Sequence, residues 1–303
     1  MRLSLGPIQY LWPRQTVEDF YQSHVDSPVD IIYLGETVCA KRRYLKTTEW
    51  IDLAKELAKA GKQVVLSTLT LIEAKSDMAG VKRLCNNGDL AVEANDMGAV
   101  QLMADQSLPF IGGPALNIYN AYTLNLLHQQ GLIRWVMPVE LDAETLKDIL
   151  ADADEMGLSD KIETEVFSFG HMPLAYSARC FTARFRNLPK DDCQLVCQDY
   201  PEGLAMDSQE GEAFFTINGI QTQSGRIQHL LPHWQKMQQI GVDIIRLSPQ
   251  PQHMNEIIQR YSQVIQGIST DTDIESWLNS PACDGYWLGK SGMDYIAVEA
   301  GLK

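Results

Sequence analysis

Short apolar runs alternate with longer amphipathic stretches from the first residues of the chain. Runs at 2–6, 30–34, 63–68, 89–93, 109–112, 133–138, 162–167 and 242–247 read as strands. Several are apolar throughout, as in Ile31-Ile32-Tyr33-Leu34 and Val64-Val65-Leu66. That is the pattern of a parallel strand buried on both faces. The stretches 48–60, 94–106, 119–130 and 142–156 read as helices. The first opens at a threonine cap, Thr48, and stops at Gly61, with Ile51, Leu53, Ala54, Leu57 and Ala58 largely on one side. Gly131 and Gly157 end the third and fourth in the same way. Eight strands with intervening helices predict an α/β fold, a (β/α)8 barrel of the TIM type or a close variant.

The alternation breaks at 172–232, between the seventh and eighth strands. A connection that long in a compact domain predicts an insertion with structure of its own. Its 212–220 run reads as a strand ending in an Asn-Gly turn at Asn218-Gly219. A helix is expected at 255–267. The barrel with its insertion is expected to occupy 1–270, and 271–303 to form a C-terminal tail packed on it.

Composition changes this picture in two respects. The 303 residues carry a formal charge of −14, which repels phosphate backbones and argues against general nucleic-acid binding. No window approaches the roughly 18 apolar residues of a membrane span, and the first residues lack the pattern of an export signal. A cytoplasmic location is therefore expected, where structural disulfides are rare. The six cysteines are then thiols, ligands or nucleophiles.

Cys180, Cys193 and Cys197 are separated by twelve and then three residues. A C-x3-C pair can bring two thiolates to one metal within a tight loop, and Cys180 can approach from another side. Soft sulfur selects iron–sulfur clusters or zinc over hard cations, and a cubane cluster wants four thiolates. Cys39 follows the second strand, so a barrel would open its loop onto the same face as the loop after the seventh. Cys85 precedes the fourth strand and falls on the opposite face. Cys283 lies in the tail, unplaced. On spacing alone, metal ligation competes closely with scattered buried cysteines.

The run from Glu163 through Glu165, Phe167 and Gly170 to Tyr176-Ser177-Ala178-Arg179-Cys180 resembles the signature of the bacterial collagenase-like peptidase family. Gly112-Gly113-Pro114-Ala115-Leu116-Asn117 with Asn120, and Val136-Met137-Pro138-Val139-Glu140, resemble further segments of that family. The likeness covers about residues 1–270. Within the family, Gly35-Glu36-x-x-Cys39, Met172 to Cys180 and Cys193-x3-Cys197 are most similar to a branch acting in oxygen-independent ubiquinone biosynthesis. The resemblance implies a 4Fe-4S cluster on Cys39, Cys180, Cys193 and Cys197. It also implies a homologous partner subunit in a heterodimer and a part in hydroxylating a ubiquinone precursor without O2. Peptide cleavage is not expected of this branch. A cluster-bearing accessory subunit and a hydrolase of the same family are the alternatives.

Glu36, Glu93, Asn117, Glu140 and Glu165 fall at strand ends or in βα loops, where barrels place their sites. Glu163 and Glu165 alternate on one strand and face the same way, a pair suited equally to acid–base work or to bonding with Arg179 or Arg184. His171 reads as a satisfied structural histidine. No G-x-S-x-G or H-E-x-x-H motif is present, and no catalytic residue is assigned.

Overall fold

The computed structural model describes residues 1–296. Seven strands run in chain order around a barrel: β1 (Arg2–Leu5), β2 (Ile31–Leu34), β3 (Gln63–Ser67), β4 (Ala91–Ala94), β5 (Phe110–Gly112), β6 (Leu132–Val136) and β7 (Glu163–Tyr176). Before the last barrel strand come three antiparallel strands, β8 (Leu204–Asp207), β9 (Ala213–Asn218) and β10 (Gln221–His229). Strand β11 (Ile244–Leu247) pairs in parallel with both β1 and β7 and closes the barrel at eight strands. The expected (β/α)8 fold and its insertion are both present.

The helices on the outside are α1 (Arg14–Ser23), α2 (Thr47–Lys59), α3 (Lys75–Cys85), α4 (Met97–Ala104), α5 (Ala121–His128) and α6 (Ala143–Glu155). Further along lie α7 (Phe181–Phe185), α8 (Trp234–Ile240) and α9 (Met254–Ile265). Side-chain caps start several of them: Asp96, Asn120 and Asp142 accept from Gly98 N, Thr123 N and Thr145 N at 2.6, 2.9 and 2.7 Å. Helix α2 departs from expectation. It begins at Thr47, and Glu49 rather than Thr48 meets the exposed start, accepting from Lys46 N at 2.7 Å. Gly61, Gly131 and Gly157 hold φ of 95°, 109° and 70° at the predicted stops.

The main core lies between strands and helices, with Leu5, Ile32, Leu34, Leu66, Phe110, Leu132 and Phe169 facing outward onto Leu57, Val100, Leu124, Leu146 and Ile257. Inside the barrel an apolar cluster of Ile31, Tyr33, Val65, Ile111, Val136 and Ile244 coexists with buried charges. Strand β7 runs 14 residues because it pairs first within the barrel and then with the insertion. Its first half pairs with β6 and β11, and its second half pairs antiparallel with β10. The switch occurs at Gly170, φ 123°, where an added Cβ would stand 2.5 Å from Ser248 Cβ. In the tail, β12 (Ala282–Cys283) adds in parallel to β10. No helix among the described residues is long and apolar enough to cross a membrane.

Candidate metal centre and barrel mouth

The loop after β2 is shaped by Glu36. Its carboxylate accepts from Val38 N and Cys39 N, both at 2.9 Å, and Arg42 N closes a turn onto Cys39 O at 2.9 Å. Gly35 opens the loop at φ 141°, where an added Cβ would collide with the Ser67 carbonyl oxygen. Cys180 caps α7 from the other side, its Sγ accepting from Ala183 N at 3.4 Å. The β9–β10 turn pins that helix: Phe181 N donates to Gly219 O at 2.9 Å and Gly219 N to Thr182 Oγ1 at 3.0 Å.

The C-x3-C segment is not helical. Cys193 ends a 3-10 turn (Lys190–Asp192), and Cys197 lies in the next (Val196–Asp199). Between them Gln194 and Leu195 both hold positive φ, 50° and 53°. Two consecutive non-glycine residues in the left-handed region cost about 1–3 kcal/mol each and persist where surroundings dictate them. Lys41 Nζ donates to Lys190 O at 2.7 Å, and Tyr44 bonds Gln198, so the loop after β2 is tied to this segment.

Arg42 stands at the junction. Nη1 donates to Gln9 O and Nη2 to Asn218 Oδ1, both at 2.7 Å. Burial works against its charge, but Glu36 and the sulfurs of Cys197 and Cys39 outweigh it and hold the guanidinium protonated. Burial pushes the Cys39 thiol up to about 11, and Cys180 adds to that. Burial also raises Cys197, against the pull of Arg42. Cys39, Cys180 and Cys197 thus share one neighbourhood on the C-terminal face, with Cys193 four residues from Cys197. Among the described residues, no three Cys, His, Asp or Glu side chains close to metal-ligand distances. The donor set is all thiol, and two of its members, Cys39 and Cys197, stand beside the Arg42 cation, which suits a soft, negatively charged thiolate centre in chemistry.

The other two cysteines lie elsewhere. Cys85 is 2% exposed in the main core at the end of α3, its thiol pushed up to about 11 by burial. Cys283 is buried against Val139, Phe167 and Met172, and burial raises it to about 12.

A polar network fills the barrel axis below this face. Arg246 Nε donates to Glu165 Oε1 at 2.8 Å and Nη1 to Glu93 Oε1 at 2.7 Å. Its guanidinium carbon stands 4.0 Å over the Tyr33 ring. Ser4 and Tyr33 donate to the two oxygens of Glu165 at 2.5 Å, and Ser67 donates to Glu93 at 2.6 Å. Glu163 pairs with Arg134 at 2.7 Å and with Arg2. The expected partners of Glu163 and Glu165, Arg179 and Arg184, are therefore wrong. Barrel closure delivers arginines from other strands instead. Arg134 and Arg246 escaped sequence reasoning, although a charge inside runs such as Ile244-Ile245-Arg246-Leu247 was the available signal.

Asn117 and Glu140 line an outer chamber of about 220 Å³ at the mouth, with Tyr119, Pro138, Pro173 and Tyr176. Tyr119 donates to Glu140 Oε2 at 2.8 Å. His171 is the structural histidine expected, its Nδ1 2.7 Å from Ser224 O.

Solved structures are similar to this chain over most of its length. The solved U32 peptidase Mk0906 is 11% identical, with 82% of this chain and 93% of that one covered at a TM-score of 0.44. A putative dihydrodipicolinate synthetase from Pseudomonas aeruginosa is 10% identical over 88% of this chain and 77% of its own, at 0.48. Thiamine phosphate pyrophosphorylase from Pyrococcus furiosus is 9% identical over 88% and 96%, at 0.46. The model of Peptidase family U32, the collagenase-like family, matches residues 15–286, so the chain belongs to that family.

Proposed function

We propose that this chain is a UbiV-type protein that holds a 4Fe-4S cluster on Cys39, Cys180, Cys193 and Cys197. It would act with a UbiU-like homologous subunit in O2-independent hydroxylation of a ubiquinone precursor ring. The observation that carries the reading is that Cys39 and Cys197 stand beside Arg42 and both lie within the influence of Cys180, on loops that follow different barrel strands. When bound, the cluster supplies one-electron transfer. Arg42 offsets thiolate charge there, Glu36 orients the Cys39 backbone, and the barrel mouth receives the ring. Exposed Phe181 and Phe185, 44% and 61% accessible, follow Cys180 on α7 and offer the partner an apolar contact.

A peptidase reading gains nothing from the histidines. His24, His128, His171 and His229 stand against backbone carbonyls, His233 against Asp284 and His253 beside Glu256, and none of these bonds is to a cysteine.

Anaerobic purification tests the cluster. The expected preparation is brown, absorbs broadly near 400 nm and carries about four irons per chain. Alanine at 39, 180, 193 or 197 should lose the iron, while alanine at 85 or 283 should keep it. A colourless protein with one zinc would sink the cluster. Binding of precursor by this chain alone, against binding by the heterodimer only, separates a substrate-holding subunit from an accessory one.

A further inference from the structure

Behind the loop after β2, between α2 and α3, lies a cavity of about 320 Å³. That volume falls within the range of small-molecule sites, roughly 300–1,000 Å³. Its apolar lining includes Leu45, Val81 and Leu84, all buried, and the half-buried Trp50. Four cations line it as well, Arg42, Arg43, Lys46 and Arg83, against two carboxylates, Glu36 and Asp77. Both carboxylates are engaged. Glu36 accepts from Val38 N and Cys39 N, and Asp77 accepts from Glu73 N and Ala74 N at 3.2 and 3.1 Å. Arg42 is held by Gln9 and Asn218, but the three exposed cations are not so committed. Arg43 uses only Nε, on Ala40 O at 2.9 Å. Among the described residues, Lys46 Nζ and the Arg83 guanidinium make no hydrogen bond or ion pair. Gly80, inside α3, adds a second observation, because it too lines the cavity. It holds no positive φ, and a Cβ added there would meet only Thr47 Oγ1, at an ordinary 3.6 Å. Neither conformation nor close approach calls for glycine, which weakens a helix relative to alanine. What its bare backbone keeps open is the cavity.

Charge and lining decide what fills it. The whole chain carries −14, so a concave surface with surplus cations runs against the sign of the molecule. Guanidinium groups suit carboxylate and phosphate oxygens through paired N–H bonds. The apolar lining and the Trp50 indole suit a flat apolar body behind that charged head. We propose that this cavity binds a small organic anion, a carboxylate or phosphate carried on a flat apolar body. Glu36, Ala40 and Arg42 bring the loop that carries Cys39 to its wall, so the bound anion lies against that loop. The cavity shares no lining residue with the outer chamber at the barrel mouth, and it is read without reference to iron.

The test uses the full chain purified anaerobically. Naphthoate, naphthyl phosphate, naphthol and inorganic phosphate are titrated by ligand-observed NMR at low salt. The better of the two naphthyl anions is expected to bind about tenfold tighter than naphthol or inorganic phosphate, and its identity names the head group. Lys46→Gln combined with Arg83→Gln removes two exposed charges and should weaken that anion about 2- to 30-fold, with naphthol unchanged. Gly80→Leu suits the helix but fills the cavity, and it should abolish binding of every naphthyl probe with thermal unfolding no lower. Naphthyl anions no tighter than naphthol, or not weakened by the double substitution, would overturn the anionic head. Inorganic phosphate as tight as the better naphthyl anion would overturn the apolar body. Binding that survives Gly80→Leu, or that is absent from the starting protein, would overturn the site.

Discussion

Arginines inside apolar strands and histidines inside the core set the chemistry of this molecule one residue at a time. The cysteines were legible because their spacing and flanking motif are local, and the carboxylates of β7 were legible because alternation places them inward. Their partners were not. Arg134 and Arg246 reach Glu163 and Glu165 from strands 29 and 81 residues away, a proximity that only barrel closure creates. His229 shows what burial does to a single group. Enclosure lowers it from 6.5 to about 4, against the bond from its ring to Thr272 O. A folded value below the unfolded one stabilises the protein above the unfolded pKa and loses that contribution as pH falls. The window thus opens at 6.5 and runs down to about 4, above the range where most carboxylates titrate. Denaturant unfolding from pH 7 to about 4.5 should show roughly 2–3 kcal/mol lost through this group. His229→Gln should flatten that slope, and an unchanged slope would show that other groups carry it.

At the scale of elements, the period of the apolar positions announced the barrel strands and most of the helices between them, because burial on two faces leaves a plain record. It did not announce β10, whose Gln221, Gln223 and Gln228 are buried yet polar and pair with the far half of β7. Nor did it show that the C-x3-C segment turns through two left-handed residues. The loop after β2 depends on Gly35, where a side chain meets backbone rather than a yielding neighbour. Gly61 also holds a positive φ, but a Cβ added there has nothing within 4 Å. Gly61→Ala should therefore cost about 1–2 kcal/mol from conformation alone. Gly35→Ala should cost more than that and also displace Cys39, so iron per chain should fall in this variant and not in the other. Equal stabilities by urea denaturation, with equal iron, would refute the steric account.

Over the whole molecule, the insertion leaves the barrel along one long strand, is tied back to the loop after β2, and ends in an open edge. Strand β8 lies last in the sheet with three of its four residues exposed, whereas β2 is buried at all four. Hydrogen exchange should therefore find β1, β2 and β11 opening with global unfolding and β8 far sooner. Protection of β8 equal to that of β2 would mean that insertion and barrel form one cooperative unit. Closure itself has a consequence in time. Strand β1 pairs with β11, so Leu3 meets Ile245 only after 242 further residues have been made. At about 5–20 residues per second that interval is roughly 10–50 s. A nascent chain emerging from the ribosome spends it with the first strand's edge open, ready to be shielded by a chaperone or mispaired with a neighbour.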